Sequence, residues 1–378
     1  MRTDQEDLVF TTSRSGWISS WLPSWCSTSP SHLKKAEDRI LKPIKDKYTQ
    51  GHVPISEGNY IWTLVFNEKK SLCDNTDVPA PDMQIPLVLL HGFGAGVGLW
   101  VKNLPVIAKD GRPVYALDML GFGRSSRPVF GSDAQEAEEQ FVQSLEDWRE
   151  AVGLEYMILL GHDFGGYVST AYALKYPNRV KHLVLVEPWG FTAKPNVQER
   201  WVPIWIKAIG AVLNPINPLT FLRLAGPLGS FLIQAIRSDF KQKYASLFED
   251  DTVADYIYHV NAQTPSGERA FKNMTIPYTW PQRPMMERAG MISPSLPMTF
   301  IYGSRSNIDG QSGKAIQEIR PNSDTEIIVI QGAGHYVFAD QSEDFSQAVL
   351  KICNNVRDMI DGKEDEKNEK NTDLNQRQ

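Results

Sequence analysis

Short apolar runs bounded by turn residues recur between about residues 58 and 190, and again after about 290. Ile85–Leu90, Val114–Leu117, Met157–Leu160 and His182–Val186 are four of them, each with the length and composition of a strand buried on both faces. Helically spaced stretches and glycine-rich turns separate these runs, and that alternation predicts a mostly parallel sheet covered by helices. From about 191 to 290 the strand rhythm stops. Apolar helical segments punctuated by Pro203, Pro215, Pro218 and Pro227 replace it, which reads as an inserted cap. Strands resume at Met298–Tyr302 and Glu326–Ile330, and a helix from about Ser342 to Met359 closes the fold. The chain therefore divides into a polar, Trp-bearing leader (1–50), a first core part (51–190), a helical cap (191–290), a second core part (291–360) and a charged tail (361–378). The tail has almost nothing to bury and is expected to be disordered. No internal repeat is visible.

Composition agrees with one enzyme-sized core: 378 residues, 42% hydrophobic and 22% charged. A net charge of −6 leaves no basic surplus to neutralise a phosphate backbone, so nucleic acid is not an expected partner. Cys26, Cys73 and Cys353 are odd in number and far apart, which fits neither a disulfide framework nor a metal site and points to a reducing compartment. The start Met1-Arg-Thr-Asp-Gln-Glu-Asp7 is too acidic for a signal peptide. No uninterrupted apolar run reaches the ~20 residues of a membrane span. A cytoplasmic protein, or one peripheral on a membrane, is expected.

The candidate chemistry sits at the ends of the expected strands. Leu159-Leu160-Gly161-His162-Asp163-Phe164-Gly165-Gly166-Tyr167 follows a strand and opens a helix, the setting of the G-x-S-x-G nucleophile elbow, with Asp163 in place of serine. Downstream, Asp309 follows the strand Met298–Tyr302, and Gly332-Ala333-Gly334-His335 follows the next one. Nucleophile, acid, histidine is the chain order of α/β-hydrolases, and their fold is the expected one. Upstream, His91-Gly92-Phe93-Gly94 follows a strand; the backbone N–H groups of Phe93 and Phe164 are the expected oxyanion donors.

Asp163 argues against a serine-esterase mechanism. A carboxylate attacking an ester would have to expel a far more basic alkoxide, so the tetrahedral adduct collapses back to reactants. Attack on an sp3 carbon avoids this difficulty, and the elbow Gly161–Gly166 is similar to that of epoxide hydrolases. An active hydrolase with Asp163 as nucleophile is therefore the alternative reading. Against it stand Gly94 and Phe164, where those enzymes usually carry proline and tryptophan. His335 and Asp340 also fit the H-x4-D pattern of glycerolipid acyltransferases, in which the histidine activates an acceptor hydroxyl. Two fixed letters recur easily by chance.

The leader carries Trp17, Trp21 and Trp25 four residues apart, on one side of a helix or compact turn. A ring that is apolar except for one N–H favours a lipid interface. Little charge accompanies these residues beyond Arg14, so insertion rather than electrostatics would supply the affinity. The cap is similarly apolar, through Trp201, Ile204, Trp205, Ile206, Leu213, Phe221, Leu222, Leu228, Phe231 and Leu232.

Several blocks extend beyond the elements common to α/β-hydrolases. They are Leu120-Gly-Phe-Gly-Arg-Ser-Ser-Arg-Pro128, Val186-Glu-Pro-Trp-Gly-Phe191, Phe248-Glu-Asp-Asp-Thr252, Gln263-Thr-Pro-Ser-Gly-Glu268 and Gly332-Ala-Gly-His-Tyr336. With the Trp leader, they make residues 13–357 resemble the subfamily of abhydrolase domain-containing proteins 4 and 5, nearest its branch without the elbow serine. That resemblance implies a cytoplasmic, lipid-droplet-associated co-activator of a patatin-like triglyceride lipase, with droplet coat proteins as further partners. It also implies a CoA-dependent lysophosphatidic acid acyltransferase activity, with acyl-CoA as co-substrate and no bound cofactor or metal. By position, Trp17, Trp21 and Trp25 would anchor to the droplet, and Arg305 and Gly334 would form the lipase-activating surface. His335 and Asp340 would be the acyltransferase pair, and Asp309 the retained acid. The branch usually has Asn where Asp163 stands, so His335 is expected between two carboxylates, with its pKa raised.

Overall fold

The computed structural model describes residues 28–68, 84–193, 218–276, 280–306 and 311–358. The three leader tryptophans, Asp309, the cap residues 194–217 and the tail lie outside these segments. The apolar runs form β3 (Leu87–Leu90), β4 (Val114–Leu117), β5 (Met157–His162), β6 (Val180–Val186), β9 (Met298–Gly303) and β10 (Thr325–Ile330). With β1 (Tyr48–Pro54) and β2 (Tyr60–Phe66) they make one eight-stranded sheet in the order β1-β2-β4-β3-β5-β6-β9-β10. Among the described strands of this sheet, only β2 runs against the direction of the others. A small antiparallel pair, β7 (Thr275–Ile276) with β8 (Trp280–Pro281), lies within the cap sequence.

Successive residues of a strand point to opposite faces, and the central strands are apolar on both. Leu87 and Leu89 enter one hydrophobic cluster while Val88 and Leu90 enter the other. The second cluster is completed by Phe141 and Trp148 of the helix Ala134–Ala151 and by Val168 and Tyr172 of the helix Phe164–Lys175. The first is completed by Trp100, by the helix over 342–358, and by the cap helix Thr252–Ala262. The cap is tied to the loop after β3 by polar contacts: Asn261 Nδ2 donates to the Gly94 carbonyl (2.7 Å), and the Gly98 N–H donates to Tyr256 Oη (3.0 Å).

The second half of the expected leader is part of the folded core. Ser29 caps the helix Pro30–Leu41 by accepting from the His32 N–H (3.2 Å), and Pro30 pre-sets its first turn. Leu33, Ala36, Ile40 and Leu41 are buried under it. The sheet also begins before residue 51, because β1 is an edge strand of mixed polarity that gives little apolar signal.

Glu37, on the buried side of this helix, accepts from Trp62 Nε1 (3.0 Å) and Arg124 (2.7 Å). Burial, helped by the Asp118 charge and opposed by Arg124, pushes its carboxyl up from 4.5 to about 8. A raised carboxyl pKa means that the folded state holds a proton the unfolded chain has released. The contribution of this group to stability is then fully present below about pH 4.5 and is lost as pH rises toward 8. Denaturant titrations at intervals between pH 5 and 8 should show a declining midpoint for the wild type and a flatter profile for Glu37→Gln.

Candidate active site

Four loops at the C-terminal ends of β3, β5, β6 and β10 converge on one site. The sharpest is the elbow. Asp163 joins β5 to the helix Phe164–Lys175 with φ 52 and ψ −118, a conformation that a non-glycine residue adopts only when its surroundings fix it. Here the Asp163 N–H donates to the Val186 carbonyl (3.0 Å), while its own carbonyl accepts from Gly166 (3.0 Å), Tyr167 (3.3 Å) and Trp189 (3.1 Å). The turn closes so tightly that a Cβ on Gly161 would lie 2.3 Å from the Gly165 carbonyl oxygen. That contact explains why the elbow is bracketed by glycines.

The loop after β3 comes down onto the elbow, and a Cβ on Gly92 would meet the Asp163 Cβ at 2.8 Å. This closeness brings the Phe93 N–H to 2.9 Å from Asp163 Oδ2. The first expected oxyanion donor is therefore engaged by the side chain at the nucleophile position. Phe164, the second, opens the helix directly after it. His91 supports the loop as a neutral ring: its Nε2 accepts from the Met119 N–H (3.1 Å), so its Nδ1–H donates to the Gly92 carbonyl (2.8 Å). Burial pushes its pKa down.

His335, on the loop after β10, faces the elbow. Its Nε2 is 4.0 Å from Asp163 Oδ1, and its Nδ1 is 3.8 Å from Glu187 Oε2. Burial alone would lower its pKa, but Glu187 and the Asp163 charge outweigh that effect and raise it. The imidazolium thus persists above its usual range. His162, directly before Asp163, behaves oppositely. Its Nε2–H donates to the His335 carbonyl (3.0 Å), and burial together with the His335 charge holds its pKa well below the ordinary value.

Glu187 was not singled out as a site residue from sequence. It directly follows β6, has φ 46, and is fully buried. Its carboxylate accepts from the Gly303 N–H (2.6 Å) at the end of β9 and from the Ser306 hydroxyl (2.5 Å) on the loop that follows. The available signal was an acidic residue at the C-terminal end of a buried strand, inside the block Val186–Phe191. Two carboxylates do flank His335, but the second described one is Glu187; Asp309, expected there, lies outside the described residues.

Asp340 is placed differently from its expected partner. Its Oδ2 accepts from the Gly334 N–H (2.8 Å), its Oδ1 pairs with Lys243, and among the described residues it has no ion pair with His335. It shapes the histidine loop rather than touching the ring. Arg305 and Gly334 are brought together: the Arg305 N–H donates to the Ala333 carbonyl (2.8 Å), and its guanidinium donates to the Gly332 carbonyl. Arg305 is exposed, so the pair lies on an accessible rim of the site. Arg223 and Arg237 of the cap are also engaged. Arg223 forms a bidentate pair with Glu268 (2.6 Å for each contact), and Arg237 pairs with Asp239 (3.0 Å) while stacking over Phe240 and Tyr336.

Chemically, the site combines a carboxylate at the elbow, an oxyanion donor already bound to it, and a histidine biased toward its cationic form. Residues 85–342 match the family described as the alpha/beta hydrolase fold. The chain is 56% identical over 360 residues to 1-acylglycerol-3-phosphate O-acyltransferase ABHD5 of Sus scrofa, covering 94% of this chain and 100% of that one. It is 48% identical over 343 residues to the (Lyso)-N-acylphosphatidylethanolamine lipase of Mus musculus, covering 90% and 97%. Among solved structures, carboxylesterase CesB of Bacillus subtilis superposes with a TM-score of 0.58 at 17% identity over 85% of this chain and 96% of that one. This last likeness is one of fold.

If Asp163 helps to hold His335 protonated, removing its charge must ease deprotonation. Asp163→Asn should lower the His335 titration midpoint in an NMR pH series. An unchanged or higher midpoint would show that Asp163 does not act on the ring.

Proposed function

The chain belongs to the α/β-hydrolase fold family, where it groups with the ABHD5 proteins, and from that membership we propose a lipid-droplet-associated regulator that co-activates a patatin-like triglyceride lipase without hydrolysing esters itself. The observation that carries this reading is the bond from the Phe93 N–H to Asp163. An oxyanion hole accelerates acyl transfer by meeting charge that appears only in the transition state, and here a permanent charge already occupies one of its donors. As a nucleophile Asp163 is in addition a better leaving group than the ester's own alkoxide, so its tetrahedral adduct reverts to reactants.

The name 1-acylglycerol-3-phosphate O-acyltransferase, carried by the relatives, makes acyl transfer from acyl-CoA to lysophosphatidic acid the enzymatic form of the proposal, with His335 as base. A base needs a free lone pair, and the raised pKa of His335 works against one at neutral pH. Co-activation asks nothing of that lone pair. It uses a surface, and Arg305 beside Gly334 supplies a candidate contact for the lipase. Droplet coat proteins are proposed as further partners. The lipid surface itself is suggested by the cap, where Phe221, Leu224, Leu228, Phe231 and Ile236 are each at least half exposed within sixteen residues. Clustered apolar exposure of this kind marks interaction surfaces. The leader tryptophans Trp17, Trp21 and Trp25 would add insertion. Among the described residues no helix is long and apolar enough to cross a membrane, and the proposed location is cytoplasm and droplet surface.

One arrangement favours a second reading. With Oδ2 held by Phe93, Oδ1 of Asp163 faces the His335 cation at 4.0 Å. In this geometry the carboxylate oxygen could bond to an epoxide carbon while the C–O bond breaks and the resulting alkoxide takes the imidazolium proton. Both readings are tested by one set of assays with purified protein. Added to a patatin-like lipase on triglyceride emulsions, the protein should raise fatty acid release several-fold while releasing none alone, and Arg305→Ala should blunt that gain. No stimulation would reject co-activation of that lipase. A mass increase localised to Asp163 after exposure to an epoxy fatty ester would move the assignment to the second reading.

A further inference from the structure

The helix Pro30–Leu41 is mounted with unusual firmness for a segment behind an aromatic leader. Beneath it, Glu37 is buried against Arg124 and Trp62. Along its flank, Arg39 reaches three acidic residues of the cap, Asp251 (2.7 Å), Asp250 (3.1 Å) and Asp255 (3.5 Å). Near its start, His32 stacks on His259 with ring centroids 5.6 Å apart. Its outward face is thereby fixed in orientation.

The basic residues of this segment divide by position. Lys34 is paired with Asp38 (2.7 Å), and Arg39 is consumed by the cap. Lys35, Lys42, Lys45 and Lys47 are exposed, and none has a carboxylate within ion-pair distance among the described residues. At 3.6 residues per turn, Lys35 and Lys42 fall on one line. Leu33, Ala36, Glu37 and Ile40, all buried, define the opposite side. The two lysines therefore crown the outer ridge, and Lys45 and Lys47 continue the positive strip into the turn before β1. Against these four cations the span from 35 to 47 offers Asp46, the Asp38 already paired with Lys34 and the buried Glu37, in a chain whose net charge is −6. The strip runs counter to the charge of the whole protein.

Its place in the fold gives the strip a partner. Gln263 accepts from Arg223 Nε through its carbonyl (2.9 Å) and donates through Nε2 to Thr28 Oγ1 (2.7 Å). The root of the leader and the cap helix Pro218–Leu224, which exposes Phe221 and Leu224, thus meet at one residue. The helix that bears Lys35 and Lys42 starts from this junction, and exposed lysines on an element joined to a cap with exposed apolar side chains match a surface that is apolar within and anionic at its headgroups. We propose that the ridge of Lys35, Lys42, Lys45 and Lys47 recognises anionic phospholipid headgroups at the lipid surface. The inference rests on the proposed lipid-surface role and adds a headgroup preference that insertion of tryptophans alone would not produce.

The test is flotation of the full chain with triglyceride emulsions coated either with phosphatidylcholine alone or with phosphatidylcholine plus a minor fraction of phosphatidic acid. The anionic coat should bind more tightly, and the advantage should shrink as salt rises, because exposed charges are screened. Each lysine near the surface contributes roughly a fivefold factor. Lys35→Glu with Lys42→Glu should therefore erase most of the anionic advantage while leaving binding to the neutral coat unchanged. Lys314→Glu with Lys351→Glu, an equal charge change elsewhere on the surface, should leave the advantage in place. Equal binding to the two coats, or equal loss in the two double variants, would overturn the ridge while keeping the lipid-surface role. Failure of the wild type to bind even the neutral coat would overturn both.

Discussion

A single hydrogen bond, from the Phe93 amide to the Asp163 carboxylate (2.9 Å), sets what this site can do. Such a bond to a charged group stabilises by about 1.5–3 kcal/mol, and an incoming ester carbonyl would have to displace it before gaining anything from the donor. The same carboxylate, with Glu187, biases His335 toward the imidazolium. Ester turnover in this fold needs a free oxyanion donor, a neutral base and a nucleophile that outlasts its leaving group. One side chain interferes with all three.

The described framework around that side chain is nevertheless kept. The elbow retains its strained backbone and close-packed glycines, His335 retains an acidic partner on Nδ1, and the cap remains latched to the loop after β3 through Asn261 and Tyr256. A scaffold of this precision can serve its periphery. The histidine loop, braced by Asp340 and Lys243, holds Gly334 next to exposed Arg305. The leader helix is clamped between core and cap by Glu37 and Arg39. On the proposed reading, positions that would carry chemistry in an esterase fix the orientation of surfaces.

Much of this was legible in the chain because buried parallel strands are apolar on both faces and stop abruptly where loops begin. The runs at Ile85, Val114, Met157, His182, Met298 and Glu326 give the sheet, and Phe93, Asp163 and His335 lie on loops that follow three of them, Asp163 directly after β5. What failed to show had physical causes. Strand β1 is an edge of mixed polarity, and the helix Pro30–Leu41 reads as polar because its buried side includes Glu37, whose partners Trp62 and Arg124 are distant in sequence. Glu187 was hidden for a similar reason. An acid after a strand becomes a histidine partner only through the pairing of β6 with β9 and the distant loop that carries His335. Spacing alone suggested that Asp340 serves His335, yet a four-residue helix, Val337–Asp340, turns its carboxylate back to the Gly334 amide and Lys243.

On the proposed reading, Asp163 silences an otherwise assembled acyl-transfer site. Hydrolysis of a soluble short-chain ester by the purified protein and by Asp163→Ser tests it most directly. The wild type should be indistinguishable from buffer. The serine variant should turn over, because Phe93 is released and His335 loses one flanking charge. Turnover by the wild type that disappears in Asp163→Ala would contradict the account and make Asp163 a working catalytic residue.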